Sequence, residues 1–225
     1  MNTLITKTIS IFFVMAISFS VSALPKLPGG FGGSDSKEES SVDLPSAQIK
    51  LERTLRDSLA DLSEAESYFA QARGDAEAAA ANLSRAETLR GKDEVDIKEA
   101  MDETASSREK SAEFEASAGE LSTESKALYA KGLLPYAKGI SNTSKASALA
   151  SEWLQYAQSE ITSIRNPMKI RKLRKTLGGG MSLAKSLPKF FKTLGSSTKG
   201  VFAFAKTQKL DTKKAQEALP DDDFE

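Results

Sequence analysis

Apolar residues recur every three or four positions along most of the chain, and this spacing predicts long amphipathic helices. The predicted helices cover residues 45–91, 94–131 and 136–165. The first should begin at Pro45, which suits a first turn, and stop at Gly91; at Gly74 it should kink or end, with Asp75 capping the next helix. Because no helix buries its stripe alone, the sequence predicts an all-α fold over residues 44–165, an elongated antiparallel bundle or coiled coil of about three long helices.

A short pattern, Tyr-Ala-Lys-Gly, occurs at residues 129–132 and again at residues 136–139. Two copies are too few for a repeat architecture, so the pattern is interpreted as chance or as a local packing feature. Gly132 and Pro135 are expected to end the second helix, because both residues disfavour a helix interior.

Residues 166–209 form a basic amphipathic segment, with Asn166 as helix cap and Pro167 in the first turn. Three glycines at residues 178–180 are expected to divide it into short helices. On a wheel at about 100° per residue, five later lysines lie about 160–260° from Phe190 and the apolar side chains about 0–120° from it. The basic side chains expected to bind an anionic surface are Lys169, Arg171, Lys172, Arg174, Lys175, Lys185, Lys189, Lys192, Lys199 and Lys206. The apolar side chains expected to insert there, or to pack on the protein, are Leu187, Phe190, Phe191, Leu194, Val201 and Phe202.

The first 23 residues have the layout of a secretory signal peptide, with Lys7 before an apolar stretch and small residues up to Ala23. Cleavage after Ala23 would give an exported protein, periplasmic or secreted. The alternative is an uncleaved membrane anchor, although the charge-free residues 8–25 lie at the lower end of the roughly 17–25 residues that span a bilayer. Residues 24–43 are rich in Gly, Pro, Ser and Glu, which predicts a disordered linker.

The charge distribution is uneven, although the formal net charge is zero. Residues 24–164 carry 25 acidic and 16 basic side chains, a net charge of −9. Residues 165–214 carry one acidic and 14 basic side chains, a net charge of +13, and residues 215–225 carry five acidic side chains, a net charge of −5. Such blocks suggest contact with a surface or polyanion through the basic block. Residues 210–225 are expected to form a short helix and a solvated acidic tail.

The chain contains neither cysteine nor histidine. It therefore has no disulfide, and it lacks the commonest general base and metal ligand. The carboxylates lie on predicted exposed helix faces beside Lys and Arg, and no motif marks a pocket. The sequence consequently favours a non-enzymatic protein without cofactor, metal or small-molecule substrate.

Three functions fit these patterns. The leading hypothesis is an exported helical scaffold or interaction protein whose basic segment contacts an anionic membrane or envelope surface. The alternatives are a soluble periplasmic protein-binding or chaperone-like module, whose amphipathic segment packs on its own bundle, and a secreted effector that permeabilises membranes. A protein partner or self-association is expected. Nucleic acid ranks last, because the segment lacks Tyr and Trp for base stacking and the protein is predicted to be exported.

Overall fold

The computed structural model describes residues 43–91 and 94–220, all of them helical or in turns and connections without β-strand. The helices are α1 (Leu44–Ala72), α2 (Ala76–Arg90), α3 (Ile97–Ser117), α4 (Thr123–Ser163), α5 (Pro167–Thr207) and α6 (Lys213–Gln216). The predicted all-α helical bundle is confirmed. The predicted signal peptide, the linker up to residue 42 and the acidic end of the tail lie outside the described residues.

Helices α1 and α4 form the largest interface of the bundle and run antiparallel. The hydroxyl of Ser58 on α1 donates to the carbonyl of Gly139 on α4 at 2.8 Å. Near the start of α1, the indole Nε1 of Trp153 donates to the carbonyl of Leu44 at 3.1 Å. These two contacts set the direction and the register of the pair.

The Tyr-Ala-Lys-Gly pattern near the start of α4 is a packing feature of this interface. A Cβ on Gly132 would lie 2.6 Å from Cε1 of Phe69, and a Cβ on Gly139 would lie 2.6 Å from Cγ of Leu62. The tyrosine three residues before each glycine is fully buried. Each copy therefore brings the backbone of α4 close to α1 and places an aromatic ring beside the contact.

Helix α5 runs antiparallel to α4 and hence parallel to α1. The hydroxyls of Tyr136 on α4 and Thr198 on α5 lie 3.2 Å apart, whereas Gly180, earlier on α5, faces Trp153, later on α4. The large apolar side chains that α5 buries in the core are Leu177, Leu183, Leu187, Phe190, Leu194, Val201 and Phe204.

Helix α2 folds back along α1, and α3 then packs on both α1 and α5. The hydroxyl of Ser67 donates to the carbonyl of Ala79 at 2.9 Å, and Nε of Arg56 donates to the carbonyl of Leu89 at the same distance. Buried polar groups thus satisfy carbonyls of the shorter helix, which offers few apolar side chains of its own.

Several helix ends lie where the sequence predicts them. Helix α1 begins within one residue of its predicted start, and Gly74, with a φ of +80°, follows its end. Asp75 then caps α2 by accepting the amide of Ala78 at 3.0 Å, and Gly91 is the C-cap. Asn166 caps α5 as expected. In each case local capping chemistry agrees with the packing.

The predicted single helix over residues 94–131 is wrong, because the chain breaks between α3 and α4. Ser122 caps α4, accepting the amide of Ser125. The side chain of Gln208, just after α5, accepts the amide of Leu121 at 2.9 Å and donates to the carbonyl of Gly119 at 3.1 Å. This distant glutamine satisfies the backbone of the connection, and no local pattern indicates it.

The helix stops predicted near Pro135 and at residues 178–180 are also wrong. A Cβ on Gly180 would lie 2.7 Å from Cδ of Gln48 and 2.9 Å from the ring of Trp153, so close packing requires glycine there. A glycine in a helix interior costs only about 1 kcal/mol, and tertiary contacts outweigh it. The basic segment is consequently one helix of 41 residues instead of several short ones.

Candidate functional site

All ten basic side chains that the sequence assigns to an anionic-surface site lie on α5, and all ten are exposed. In the described part of the chain, no carboxylate lies within ion-pair distance of any of them. The described acidic residues of the bundle form their ion pairs elsewhere. The positive charge of α5 therefore faces solvent.

Five of the ten basic residues lie in the first turns of α5, where α4 and α5 meet. We call residues 164–176 the hairpin end, and none of them is buried. Met168 is 76% exposed, and Ile170 and Leu173 are partly exposed. Because Trp153 pairs with the first residue of α1, the hairpin end begins about 16 Å farther along α4, at 1.5 Å per residue. Positive charge and accessible apolar groups are thus combined at one end of the bundle. The five residues are Lys169, Arg171, Lys172, Arg174 and Lys175.

Most of the apolar side chains assigned to insertion or packing pack on the bundle. Leu187, Phe190, Leu194 and Val201 are buried in the core, and Phe191 and Phe202 are partly buried. The sequence analysis missed Phe204, whose ring centroid lies 5.1 Å from that of Tyr129 and 6.0 Å from that of Phe114. One face of α5 thus packs on the protein while the lysines remain accessible.

A second group of charges is buried between α1, α3 and α4, and we call it the charged cluster. Arg108 on α3 donates to Glu66 on α1 at 3.1 Å and to Oε1 of Glu115. Oε2 of Glu66 accepts the hydroxyl of Ser111 at 2.6 Å, and Oε1 of Glu115 accepts the hydroxyl of Tyr129 at 2.7 Å. The side chains of Arg108 and Glu66 are 1% exposed and that of Glu115 is 5% exposed. The members of the charged cluster are Glu66, Arg108, Ser111, Glu115 and Tyr129.

Burial and charge compete in this cluster. Burial disfavours the charged form of Arg108, but the carboxylates of Glu66 and Glu115 outweigh it and raise the guanidinium pKa. Burial raises the pKa of the Glu115 carboxyl, against the opposing effect of Arg108. Burial, and then the charge of Glu115, raise the pKa of the Tyr129 phenol. The phenol therefore stays protonated and donates its hydrogen bond.

Two atoms of the cluster, Nε of Arg108 and Oε2 of Glu115, have no hydrogen-bond partner among the described residues. The remaining bonds join three helices, and the guanidinium lies 5.4 Å from the ring centroid of Phe69. Because these groups are almost completely removed from solvent, the arrangement acts in holding α1, α3 and α4 in register.

The sequence analysis missed the charged cluster because it followed apolar residues alone. Met101, Thr104, Arg108, Ser111 and Glu115 follow steps of three and four, so they continue one helical face through polar residues. On α1, Glu66 occupies a position of the leucine-rich face, between Leu62 and Phe69. Polar residues at positions where the helical spacing calls for apolar ones were the sequence signal that could have predicted the charged cluster.

In the part of the chain that the structure describes, no helix has an apolar stretch long enough to cross a membrane. The same residues contain no group of three or more acidic side chains arranged to hold a metal ion. Comparison with known proteins adds no relative, since no protein-family profile, curated protein or solved structure matches the chain.

Proposed function

We propose that this protein is an exported, non-enzymatic helical scaffold that docks on an anionic membrane surface through the basic side chains of α5. The observation that carries the proposal is the set of ten exposed cationic side chains without ion-pair partners among the described residues. Each Lys or Arg close to an anionic leaflet contributes about 1 kcal/mol of attraction. Half of the ten, acting together, would give measurable binding.

The hairpin end is the part expected to reach the surface first. It places five cationic side chains within residues 169–175, at the end of the α4–α5 pair. The thioether of Met168 is exposed beside them and is suited to shallow burial among lipid headgroups. Charge attraction would orient the bundle, and this apolar contact would add a short-range contribution that salt does not screen.

Docking of this kind leaves the bundle folded. Leu187, Phe190 and Leu194 lie in the core, and exposing each would cost about 1.5–3 kcal/mol before any lipid contact forms. The proposal is therefore peripheral adsorption without insertion of α5. For the same reason, the membrane-permeabilising alternative has no support from the geometry.

A soluble protein-binding module is the second candidate, and one observation favours it. Phe190 and its apolar neighbours on α5 pack on the helices of their own bundle, as that alternative requires. Under this hypothesis, the basic face would bind an acidic protein partner instead of lipid. Vesicles of defined charge distinguish the two candidates.

The experiment is co-sedimentation of the chain from Leu24 onward with vesicles of phosphatidylcholine alone or with 30% phosphatidylglycerol added. The proposal expects binding to the anionic vesicles at low salt, loss of binding at high salt, and no leakage of entrapped dye. Protein that remains in the supernatant with anionic vesicles at low salt contradicts membrane docking. Dye leakage would instead favour the permeabilising effector.

A matched pair of variants locates the contact. Replacing five of the six basic residues of the hairpin end, all except Arg165, by Gln should weaken binding to anionic vesicles at least about tenfold, since several favourable charges are lost. The control replaces five exposed basic residues on other helices by Gln, which changes the net charge equally. Equal binding by the two variants would contradict docking by the hairpin end. The control residues are Lys50, Arg53, Lys131, Lys138 and Lys145.

Export has its own test, because it rests on residues 1–23 alone. The proposal expects the processed protein to begin at Leu24 when the full chain is expressed in a bacterium with a secretory pathway. Intact-mass measurement of the fractionated protein decides this. A full-length chain in the membrane fraction would indicate the uncleaved anchor, and a full-length chain in the cytosol would contradict export.

A further inference from the structure

A groove with a volume of about 770 Å³ runs between α3 and the last turns of α5. The two helices are parallel there but present small side chains to each other, so the space between them is not filled. The groove lies about 38 Å along α5 from the hairpin end, counting 25 residues from Lys175 to Gly200 at 1.5 Å each. The small residues that line it are Ala112, Ala116, Ser196, Ser197, Gly200 and Ala203.

Glu115 of the charged cluster forms part of the lining of the groove. Its side chain is 95% removed from solvent, given a 5% exposed fraction. Oε1 is engaged by Arg108 and Tyr129, whereas Oε2 has no hydrogen-bond partner among the described residues. A Cβ built on Gly200 would lie 3.9 Å from Oε2, which places this free oxygen directly below the glycine on the groove wall.

The charges around this oxygen do not balance. Two carboxylates, Glu66 and Glu115, share the single guanidinium of Arg108. Arg73, which donates to Ser111 at 2.7 Å, also pairs with Asp75 at 3.3 Å, so a carboxylate already accompanies it. The exposed Lys209 is among the residues that line the groove. A buried carboxylate oxygen without a partner is unfavourable, and a cation or a proton beside it relieves the penalty.

We infer that this groove binds a small organic cation, a protonated amine with a short apolar body. The ammonium group would donate to Oε2 of Glu115, and the apolar body would lie against Ala112, Ala203 and Phe204. When Glu115 is ionised, Oε2 can accept hydrogen bonds but cannot donate one. The site therefore selects ligands that donate hydrogen bonds and rejects anions. The volume falls within the range of ligand sites, about 300–1,000 Å³.

A bare metal ion fits this position poorly. A calcium ion takes six to eight oxygen ligands, whereas the groove offers two carboxylates, Glu115 and Glu120, and a few hydroxyls. The inference goes beyond the proposed membrane docking and is independent of it, since it involves no residue of the hairpin end.

The test measures binding of hexylammonium to the full chain near neutral pH by calorimetry, with hexanoate as the anionic counterpart of similar shape. Hexylammonium is expected to bind with a dissociation constant of about 1 mM or tighter, an affinity reasonable for so small a ligand, and hexanoate is not expected to bind. Absence of hexylammonium binding, or equal binding of hexanoate, overturns the inference.

Three variants place the ligand. Glu115→Gln should weaken hexylammonium binding at least tenfold, because the charged acceptor is lost. Gly200→Leu should abolish binding by filling the groove, and its Cβ meets no atom closer than 3.9 Å. Gly178→Leu is the matched control on the same helix, where a Cβ meets nothing within 4 Å, and should leave binding unchanged.

Glu115→Gln and Gly200→Leu change different parts of the site, the charged acceptor and the space in the groove. If Glu115→Gln does not fold, Gly200→Leu still tests the groove, because it replaces no residue of the charged cluster. Hexylammonium binding that survives in a folded Gly200→Leu protein, or binding reduced equally by Gly178→Leu, places the ligand elsewhere and overturns the assignment.

Discussion

The charged cluster and the hairpin end both carry cationic side chains. The cation of the cluster is buried and paired with carboxylates, whereas those of the hairpin end are exposed to solvent. Arg108 is 1% exposed, touches two carboxylates and joins α1 to α3. The six basic side chains of the hairpin end are exposed and lack ion-pair partners among the described residues. Removal of the buried charge should therefore disturb the fold, whereas removal of the exposed charges should disturb only what they contact.

The largest effect is expected from Arg108→Met. This change leaves Glu66 and Glu115 as buried carboxylates without a cation, and it should lower the free energy of unfolding by about 3–5 kcal/mol. Urea denaturation followed by circular dichroism measures it. The control, Arg85→Met, breaks a partly exposed pair with Glu103 and should cost at most about 1 kcal/mol.

A compensated variant sharpens this prediction. Adding Glu66→Gln and Glu115→Gln to Arg108→Met removes all three charges together, and most of the lost stability should return. If the triple variant is no more stable than Arg108→Met alone, the loss stems from packing instead of unpaired charge.

A smaller effect is expected where α4 approaches α1. Gly139→Ala would place a Cβ 2.6 Å from Cγ of Leu62, and it should destabilise the protein by about 1–3 kcal/mol through overpacking. Gly178→Ala, where no atom lies within 4 Å, should instead stabilise by up to about 1 kcal/mol. Thermal unfolding of the two variants checks the opposite signs. Equal shifts would mean that the α1–α4 contact is looser than described.

The pH dependence of the charged cluster should be more modest. Burial raises the pKa of Glu115 above its ordinary value of 4.5, so the folded protein binds this proton more tightly than the unfolded chain does. Its contribution to stability therefore falls as pH rises from the ordinary pKa through the raised one. As the pH falls toward the ordinary pKa of 4.5, the protein should gain stability relative to Glu115→Gln. Urea denaturation at several pH values measures this. If the free energy of unfolding depends on pH in the same way for both proteins, the raised pKa is contradicted.

The smallest effect on stability is expected at the hairpin end. Replacing the same five of its six basic residues by Gln should change the free energy of unfolding by at most about 0.5 kcal/mol per site, because none of them has an ion-pair partner in the described structure. The same variant should lose vesicle binding, and the combination separates a contact surface from a structural one. A clear drop in the unfolding midpoint would show that these side chains also support the fold.

Local sequence patterns predicted the structural features that depend on residues close together in the sequence. The caps at Asp75 and Asn166 and the glycine at position 74 lie where turn chemistry places them. The buried faces of α1 and of the later part of α5 follow from apolar spacing. These features depend on neighbours three or four residues away, which the sequence displays directly.

Features that depend on distant partners could not be predicted. From the sequence alone, Gly180 is predicted to break a helix. In the fold, Gln48 and Trp153 pack so closely against it that only glycine fits within the helix there. The break before α4 is held by Gln208, which lies 87 residues beyond Leu121. The charged cluster joins residues of three helices, and its polar members resemble surface positions when each helix is considered alone.

The hydrogen bond between Trp153 and Leu44 has a consequence for tethering. It holds the start of α1 beside α4, within about 16 Å along the helix axis of the hairpin end. The start of α1 and the hairpin end therefore lie at the same end of the bundle. Docking through the hairpin end would bring the start of α1 toward the same surface, and any second attachment made there would turn a weak electrostatic contact into a bivalent one.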